Sequence, residues 1–252
     1  MNGSVHPLGR RLAAEAVGTG ALVTVVIGSG IQAADLSQDG AVVLLANSLA
    51  TVFGLGVLIA VLGPVSGAHF NPLVSLATWW NGRGDGQGPL LRDVAAYAVA
   101  QISGAVGGAV LANAMFARPL VNWSTQQRHA DHLWLAEVAA TAGLIVVIFG
   151  LTRTGRAGLA PVSVAAYIGA AYWFTSSTSF ANPAVTIGRA FTDTYAGIAP
   201  TSVGPFILAQ ILGAAVGLGL VAVVFGPQAL KSAPRDIEVT SAAFAEQGST
   251  RP

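Results

Sequence analysis

Six long apolar runs, almost free of charge, constrain this 252-residue chain more than any other feature. Four of them contain no charged residue, and the other two contain one glutamate each, Glu15 and Glu137. A helix needs roughly 20 apolar residues to cross the hydrocarbon core of a membrane. Because the runs are continuously apolar instead of alternating every second residue, they predict an all-α membrane protein and argue against a β-barrel. The runs are 12–31, 41–63, 94–116, 133–151, 159–175 and 203–225.

The composition supports this class and excludes several functions. Only 9% of the residues are charged, whereas soluble domains carry charge on about 25%. The formal net charge is +1, so no overall field indicates a nucleic-acid partner. The chain has no cysteine, which excludes disulfides and thiolate metal sites. We expect a lipid bilayer as the surroundings, and neither a cofactor nor a metal.

The chain contains an internal repeat. The run that begins at Ala14 overlays the run that begins at Ala136 and matches Glu15 with Glu137, while a second overlay matches Gln101 with Gln210. Each repeat holds three spans, an odd number, so the second repeat enters the membrane from the opposite side. We therefore predict one channel domain over 1–226, with inverted repeats at about 11–119 and 132–226, and a loosely ordered cytoplasmic tail over 227–252.

The basic residues between the spans predict the orientation. If both termini are cytoplasmic, the inner segments hold nine basic residues and the outer ones three, which is the bias known as positive-inside. The inner residues are Arg10, Arg11, Arg83, Arg92, Arg153, Arg156, Lys231, Arg235 and Arg251; the outer ones are Arg118, Arg128 and Arg189.

Each repeat carries one Asn-Pro pair at membrane depth. Asparagine is a strong N-cap and proline is well tolerated at the first helical position, so Asn71 and Asn182 each predict the start of a helix. The segments are about ten residues long, too short to span. The inverted repeats bring the two helix starts together near the midplane. There the side-chain oxygen of each asparagine caps its own helix, so its NH2 group remains free to donate a hydrogen bond. The predicted half-helix starts are Pro72 and Leu73, and Pro183 and Ala184.

The residues before each asparagine are predicted to be extended and to line a wet cavity, because non-helical backbone is tolerated at this depth only there or within protein. Their carbonyl groups would lead solutes to the paired amides, which predicts a pore for small hydroxylated solutes. These pore-loop residues are Gly67, Ala68, His69 and Phe70 in the first repeat, and Ser177, Thr178, Phe180 and Ala181 in the second.

The two Asn-Pro pairs lie in the sequences "SGAHFNP" and "ANPA", which follow the second and fifth spans of an inverted repeat. This combination of motif and position is highly specific, whereas a single Asn-Pro pair is common. Through them the chain resembles the aquaporin and glycerol-facilitator superfamily over Arg11 to Phe225. The resemblance implies six tilted helices and two half-helices around one pore per subunit. It also implies a homotetramer.

Two positions depart from the family pattern. Leu73 stands where the family usually has alanine, and Val185 stands where water and glycerol channels carry a pore-lining arginine. An ungapped count from the asparagines places the other filter positions at Thr51, Ala170 and Ser179. None of these side chains is large or charged, so the resemblance implies a wide filter. Such a filter is similar to that of a bacterial branch associated with arsenic resistance, which implies a bacterial inner membrane and passage of neutral arsenite.

Several polar residues allow two interpretations. Glu15 and Glu137 are candidates for a proton relay, but their symmetric placement favours acceptors for the pore-loop backbone. By the same symmetry, Gln101 and Gln210 are predicted to bond that backbone. His69 lacks partner histidines, so a structural role is favoured over metal binding.

Arg189 also has two interpretations. It lies one helical turn beyond Val185, so it could overhang the outer mouth and replace the missing filter charge. The spacing to Asp193 is that of a standard helical ion pair, and this interpretation is favoured.

The predicted function is a passive channel for small uncharged solutes, such as polyols, arsenite-like hydroxides and water, that excludes ions. A water-selective channel is the alternative. An ion-coupled transporter should show further ionisable residues at the midplane. An enzyme would need a nucleophile-base or metal constellation, which the sequence does not show.

Overall fold

The computed structural model describes residues 6–83 and 88–226, which contain eight α-helices and one short 3-10 helix. The predicted tail over 227–252, with Lys231, Arg235 and Arg251, lies outside the described residues. The helices are α1 Leu8–Leu36, α2 Gly40–Ser66, α3 Pro72–Gly82, α4 Leu91–Met115, α5 Asp131–Arg153, α6 Ala160–Phe174, α7 Pro183–Arg189 and α8 Pro200–Phe225, with the 3-10 turn Ala157–Leu159 before α6.

Six of these helices, α1, α2, α4, α5, α6 and α8, occupy the six predicted apolar runs. Each is long and apolar enough to cross a membrane, α6 together with the 3-10 turn before it. Strands are absent from the described residues. The predicted all-helical class is therefore confirmed.

Helix α1 packs closely against α4, and α5 packs closely against α8. Both pairs meet at glycines in matching positions of the two repeats. In the first repeat, the glycines of α4 approach the backbone carbonyls of α1 so closely that a Cβ has no room. In the second, a Cβ on Gly217 of α8 would lie 2.7 Å from the carbonyl oxygen of Ala142 on α5. Small residues four apart allow this approach between helices in a membrane. The glycines are Gly104, Gly108, Gly213 and Gly217.

Ion pairs and hydrogen bonds at the helix ends show that α1 runs parallel to α4, and α5 parallel to α8. Arg11 near the start of α1 lies 3.7 Å from Asp93 near the start of α4. Arg153 at the end of α5 donates to the carbonyl oxygen of Gly226 just after α8, at 2.6 Å. Each repeat therefore crosses the helix layer three times, as the odd number of spans requires.

The two short helices α3 and α7 begin at Pro72 and Pro183, directly after the two asparagines. Helix α3 has 11 residues, as predicted, but α7 has only 7. Helix α7 ends early because the chain tightens into a turn, in which Phe191 N donates to Gly188 O at 3.1 Å. The long helices surround both short helices, which meet within the core.

Candidate functional site

The two asparagines hold the short helices together end to end. Asn71 Nδ2 donates to the carbonyl oxygen of Ala181 at 2.8 Å, and Asn182 Nδ2 donates to the carbonyl oxygen of Phe70 at 2.7 Å. Each amide therefore crosses to the pore loop of the opposite repeat, directly before the opposite asparagine.

Each asparagine also caps its own helix. Asn71 Oδ1 accepts from Leu73 N at 2.9 Å, and Asn182 Oδ1 accepts from Ala184 N at 3.0 Å. An amide NH2 carries two hydrogens, and each asparagine uses one of them on the opposite loop. The other hydrogen remains available to the cavity that both side chains line.

The two pore loops are not extended throughout, contrary to the sequence prediction. Ala68 and Phe70 have φ of 48° and 49°, and Thr178, Ser179 and Ala181 have φ of 63°, 53° and 48°. Left-handed residues interspersed in a loop turn successive N–H groups toward one point, and such a concavity binds an anion. The conformation follows from the carboxylates that the loops surround.

Glu15 and Glu137 supply those carboxylates. Glu15 accepts from His69 N at 3.0 Å and from Phe70 N at 2.7 Å. Glu137 accepts from Phe180 N and Ala181 N, both at 2.9 Å. The contacts match the structural interpretation of these residues, in which each carboxylate satisfies the backbone of one pore loop.

The two glutamines do not bond the loop backbone as predicted. Gln101 Nε2 donates to Glu15 Oε2 and Gln210 Nε2 donates to Glu137 Oε2, both at 2.7 Å. Each glutamine also reaches a hydroxyl of a short helix, Ser75 at 3.1 Å and Thr186 at 2.9 Å. At each loop the carboxylate accepts the two N–H groups next to the asparagine, and the glutamine instead ties that carboxylate to the nearby short helix.

His69 makes ordinary structural contacts. Its Nδ1 lies 2.9 Å from Ser75 Oγ, and its ring centroid lies 5.5 Å from that of Tyr97. In the part of the chain that the structure describes, no group of three potential metal ligands occurs. These contacts agree with the structural role favoured for His69.

A cavity of about 670 Å³ passes between the long helices and along the asparagine pair. One end is lined by residues near the ends of α3 and α5, including Asn81 and Thr152. Gly67 and Ala68 line it with His69 and Phe70 in the first repeat, and Phe180 and Ala181 in the second. Ser177 and Thr178 are not part of the lining.

Three of the four predicted filter positions line the other end of this cavity, and the fourth does not. Thr51, Ser179 and Val185 belong to the lining, whereas Ala170 lies on the exposed face of α6. Tyr172 lines the cavity instead and its hydroxyl lies 3.1 Å from Thr51 Oγ1. The ungapped count therefore gave the wrong residue of α6, and this end of the cavity contains a large aromatic ring.

The structure also contradicts the predicted ion pair between Arg189 and Asp193. Asp193 accepts from Thr125 N at 2.9 Å instead. Arg189 is buried, lines the cavity, and places its guanidinium 3.4 Å from the centre of the Phe180 ring. Sequence reasoning identified the position one turn beyond Val185 but favoured the wrong contact.

Comparison with known proteins gives consistent results. The model of the major intrinsic protein family matches residues 4–179. The chain is 48% identical over 213 residues to "Aquaglyceroporin AqpS" of Rhizobium meliloti, covering 84% of this chain and 89% of that protein. It is 32% identical over 169 residues to "Aquaporin Z" of Photorhabdus laumondii, covering 62% of this chain and 71% of that protein.

The fold is similar to that of a solved structure, the X-ray structure of the aquaglyceroporin from Plasmodium falciparum. The TM-score is 0.65 at 20% sequence identity, over 88% of this chain and 98% of that chain. At this identity the likeness concerns the fold alone. Together, the family match, the relatives and the helical architecture show that this chain is an integral membrane protein that belongs to the major intrinsic protein family, a family of channels for small solutes.

Proposed function

We propose that this channel passively conducts uncharged solutes with several hydroxyl groups, of about the size of glycerol, including the neutral trihydroxide of arsenic(III), and that water also passes. The observation that carries the proposal is the cavity that leads past the paired amides of Asn71 and Asn182 to Thr51 and Tyr172. The relative from Rhizobium meliloti is an aquaglyceroporin, which supports the same solute class.

The end of the cavity at Thr51 and Tyr172 is lined by polar and apolar surface side by side. Ser179 Oγ is buried without a protein hydrogen-bond partner, and Thr51 supplies a second hydroxyl. The Tyr172 ring and the Val185 methyl groups supply apolar surface. A polyol presents hydroxyls and C–H groups in the same way, so this lining matches it better than a uniformly polar or uniformly apolar filter would.

The carboxylates support a channel over an ion-coupled transporter. Intramembrane carboxylates are functional candidates by default. Here both Glu15 and Glu137 are fully buried and engaged by backbone N–H groups and a glutamine. A carboxylate whose oxygens are held in this way by several donors acts as a structural anchor for its pore loop.

We also propose the assembly and orientation that the sequence suggests. One channel domain over 1–226 forms a pore in each subunit of a homotetramer in a bacterial inner membrane, with both termini cytoplasmic. The bias of basic residues supports this orientation. Arg10 and Arg11 near the start of α1 and Arg153 at the end of α5 then lie on the cytoplasmic side.

Stopped-flow light scattering of proteoliposomes tests the proposed function. Gradients of water, glycerol and arsenous acid should dissipate faster than in empty liposomes, with a rate linear in solute concentration and independent of a proton or sodium gradient. Saturation or gradient dependence would favour a transporter.

A matched pair of variants localises the path. Val185→Trp, on the lining, should abolish solute flux, whereas Ala170→Trp, on the exposed face of α6, should leave it unchanged. Block by Ala170→Trp with free passage through Val185→Trp would overturn the proposed path.

A further inference from the structure

We propose that Arg189 is a specificity-determining residue of the pore: it supplies a fixed cation and hydrogen-bond donors to the end of the cavity where position 185 holds only a valine. The proposal rests on the proposed channel function and adds to it the feature that selects among neutral solutes by the oxygen atoms they present.

The position of the side chain is the first argument. Arg189 is 3% exposed yet belongs to the lining of the cavity, as Val185 does. The two residues are one helical turn apart and therefore lie on the same face of α7. The last residue of α7 thus reaches the part of the lumen that the small side chain of Val185 leaves open.

The contacts of the guanidinium are the second argument. It stacks on the Phe180 ring, with 3.4 Å from Cζ to the ring centre, and its Nε donates to the carbonyl oxygen of Ala196. Stacking and a single bond through Nε fix a guanidinium in place while its two NH2 groups stay available. Among the described residues this is its one protein hydrogen bond, so those NH2 groups can donate to a solute.

The third argument is that Arg189 has no ion-pair partner among the described residues. Within residues 6–83 and 88–226, the ion pairs join Arg11 or Arg92 to Asp93 and Arg118 to Asp35, and none includes Arg189. A buried cation is costly unless something in its surroundings stabilises it. Glu137 acts on Arg189 only from beyond ion-pair distance, because its oxygens are taken up by loop N–H groups. The contacts of the guanidinium are the Ala196 carbonyl and the Phe180 ring, so its positive field extends into the lumen.

A second arginine lies near the same aromatic ring and supports this geometry. The guanidinium of Arg128 lies 5.0 Å from the centre of the Phe180 ring, and its Nε donates to Gly197 O at 3.1 Å. Arg128 is not part of the cavity lining, so it is a positioning residue for the segment whose Ala196 carbonyl holds Arg189. Two cations at the outer part of the pore disfavour entering cations and favour neutral solutes whose oxygen atoms accept hydrogen bonds.

The field of Arg189 is measurable with an introduced thiol. Ser179 also lines the cavity, its hydroxyl has no protein partner, and the chain has no cysteine, so Ser179→Cys places a single thiol in the lumen at little structural cost. The probes are a negatively and a positively charged methanethiosulfonate of similar size. Each rate is divided by the rate of the same reagent with free mercaptoethanol.

We expect the anionic reagent to react with the Ser179→Cys channel about tenfold faster than the cationic one, since a fixed charge in a cleft attracts the opposite charge. Adding Arg189→Gln should remove most of this preference, and Arg189→Lys should retain it. Adding Arg118→Gln, which removes an exposed arginine paired with Asp35, should leave it intact. Equal rates, a cationic preference or no reaction in Ser179→Cys overturns the proposal, even if the Arg189 variants do not fold.

Solute flux gives the second readout. In the Arg189→Gln channel the ratio of glycerol to water permeability should fall by about threefold, the effect of one lost hydrogen bond to solute. An unchanged ratio together with an unchanged reagent preference overturns the proposal. If the unmodified protein fails to conduct glycerol, the proposed function is wrong; if it conducts glycerol but Arg189→Gln changes neither readout, only this inference is wrong.

Discussion

Replacing Glu137 by glutamine should leave one backbone N–H group of the pore loop without an acceptor, whichever way the side chains rotate. Glu137 Oε1 accepts from Phe180 N, and Oε2 accepts from Ala181 N and from Gln210 Nε2. In Glu137→Gln one of these oxygens becomes an NH2 group. Gln210 can turn its unpaired Oε1 toward that group, but one of the two backbone N–H groups then faces a donor in either orientation.

The size of the effect follows from this one lost acceptor. A buried donor without a partner costs about 1–3 kcal/mol. For a chain of this size, that corresponds to a fall in melting temperature of about 2–12 °C. Ala181 also provides the carbonyl that holds Asn71, so glycerol flux per incorporated channel should fall by about tenfold if the barrier rises by about 1.4 kcal/mol.

Thr141→Val is the matched control. Thr141 lies one turn from Glu137 on the same helix, is fully buried, and its hydroxyl has no partner. The control should therefore keep the melting temperature in detergent and the flux in proteoliposomes. Glu15→Gln should repeat the loss in the first repeat, where His69 N and Phe70 N compete for one remaining oxygen. A Glu137→Gln channel indistinguishable from Thr141→Val in both assays would refute the reasoning.

Three further predictions follow from the packing and the pore. Gly217→Ala places a Cβ 2.7 Å from the Ala142 carbonyl oxygen, whereas a Cβ at Gly219 meets open space. Overpacking that costs about 1–3 kcal/mol should therefore lower the melting temperature of Gly217→Ala below that of Gly219→Ala. Equal melting temperatures of the two variants would contradict this packing. Asn182→Asp keeps an N-cap acceptor but replaces the amide that donates to Phe70 O by a negatively charged carboxylate. Solute flux should therefore fall sharply. Stopped-flow rates equal to those of the unmodified channel would exclude a role for the amide. Val185→Arg adds a second guanidinium to the lining and should retain water flux while losing most glycerol flux, and equal loss of both would contradict a filter at this position.

The architecture was predictable because its causes are local. The length of the apolar runs determines which segments cross a membrane, and Asn-Pro determines where a helix begins inside one. The contacts of Glu15 and Glu137 with the pore loops followed from the repeat, since matched polar residues in a membrane need matched partners.

The residue that α6 contributes to the filter depended on helical periodicity, which the ungapped count did not take into account. Residues four apart share a helix face, so Val164, Ile168 and Tyr172 line the cavity together, whereas Ala170 lies away from it. Helical periodicity read backward from Tyr172 would have identified this face.

The direction of the Arg189 side chain was not predictable. It is determined by the Phe180 ring and the Ala196 carbonyl, which folding brings together from separate segments. A spacing rule for helical ion pairs takes no account of such contacts.

The crossed asparagine bonds have a consequence for biosynthesis. The groups that they join are 110 and 112 residues apart in the chain. A ribosome that adds about 5–20 residues per second needs about 5–22 s between the two Asn-Pro pairs. During that time the amide of Asn71 and the carbonyl of Phe70 lack their final partners, and lipid offers none. The nascent first half therefore has to keep its pore loop in contact with water or with the insertion machinery until the second half arrives.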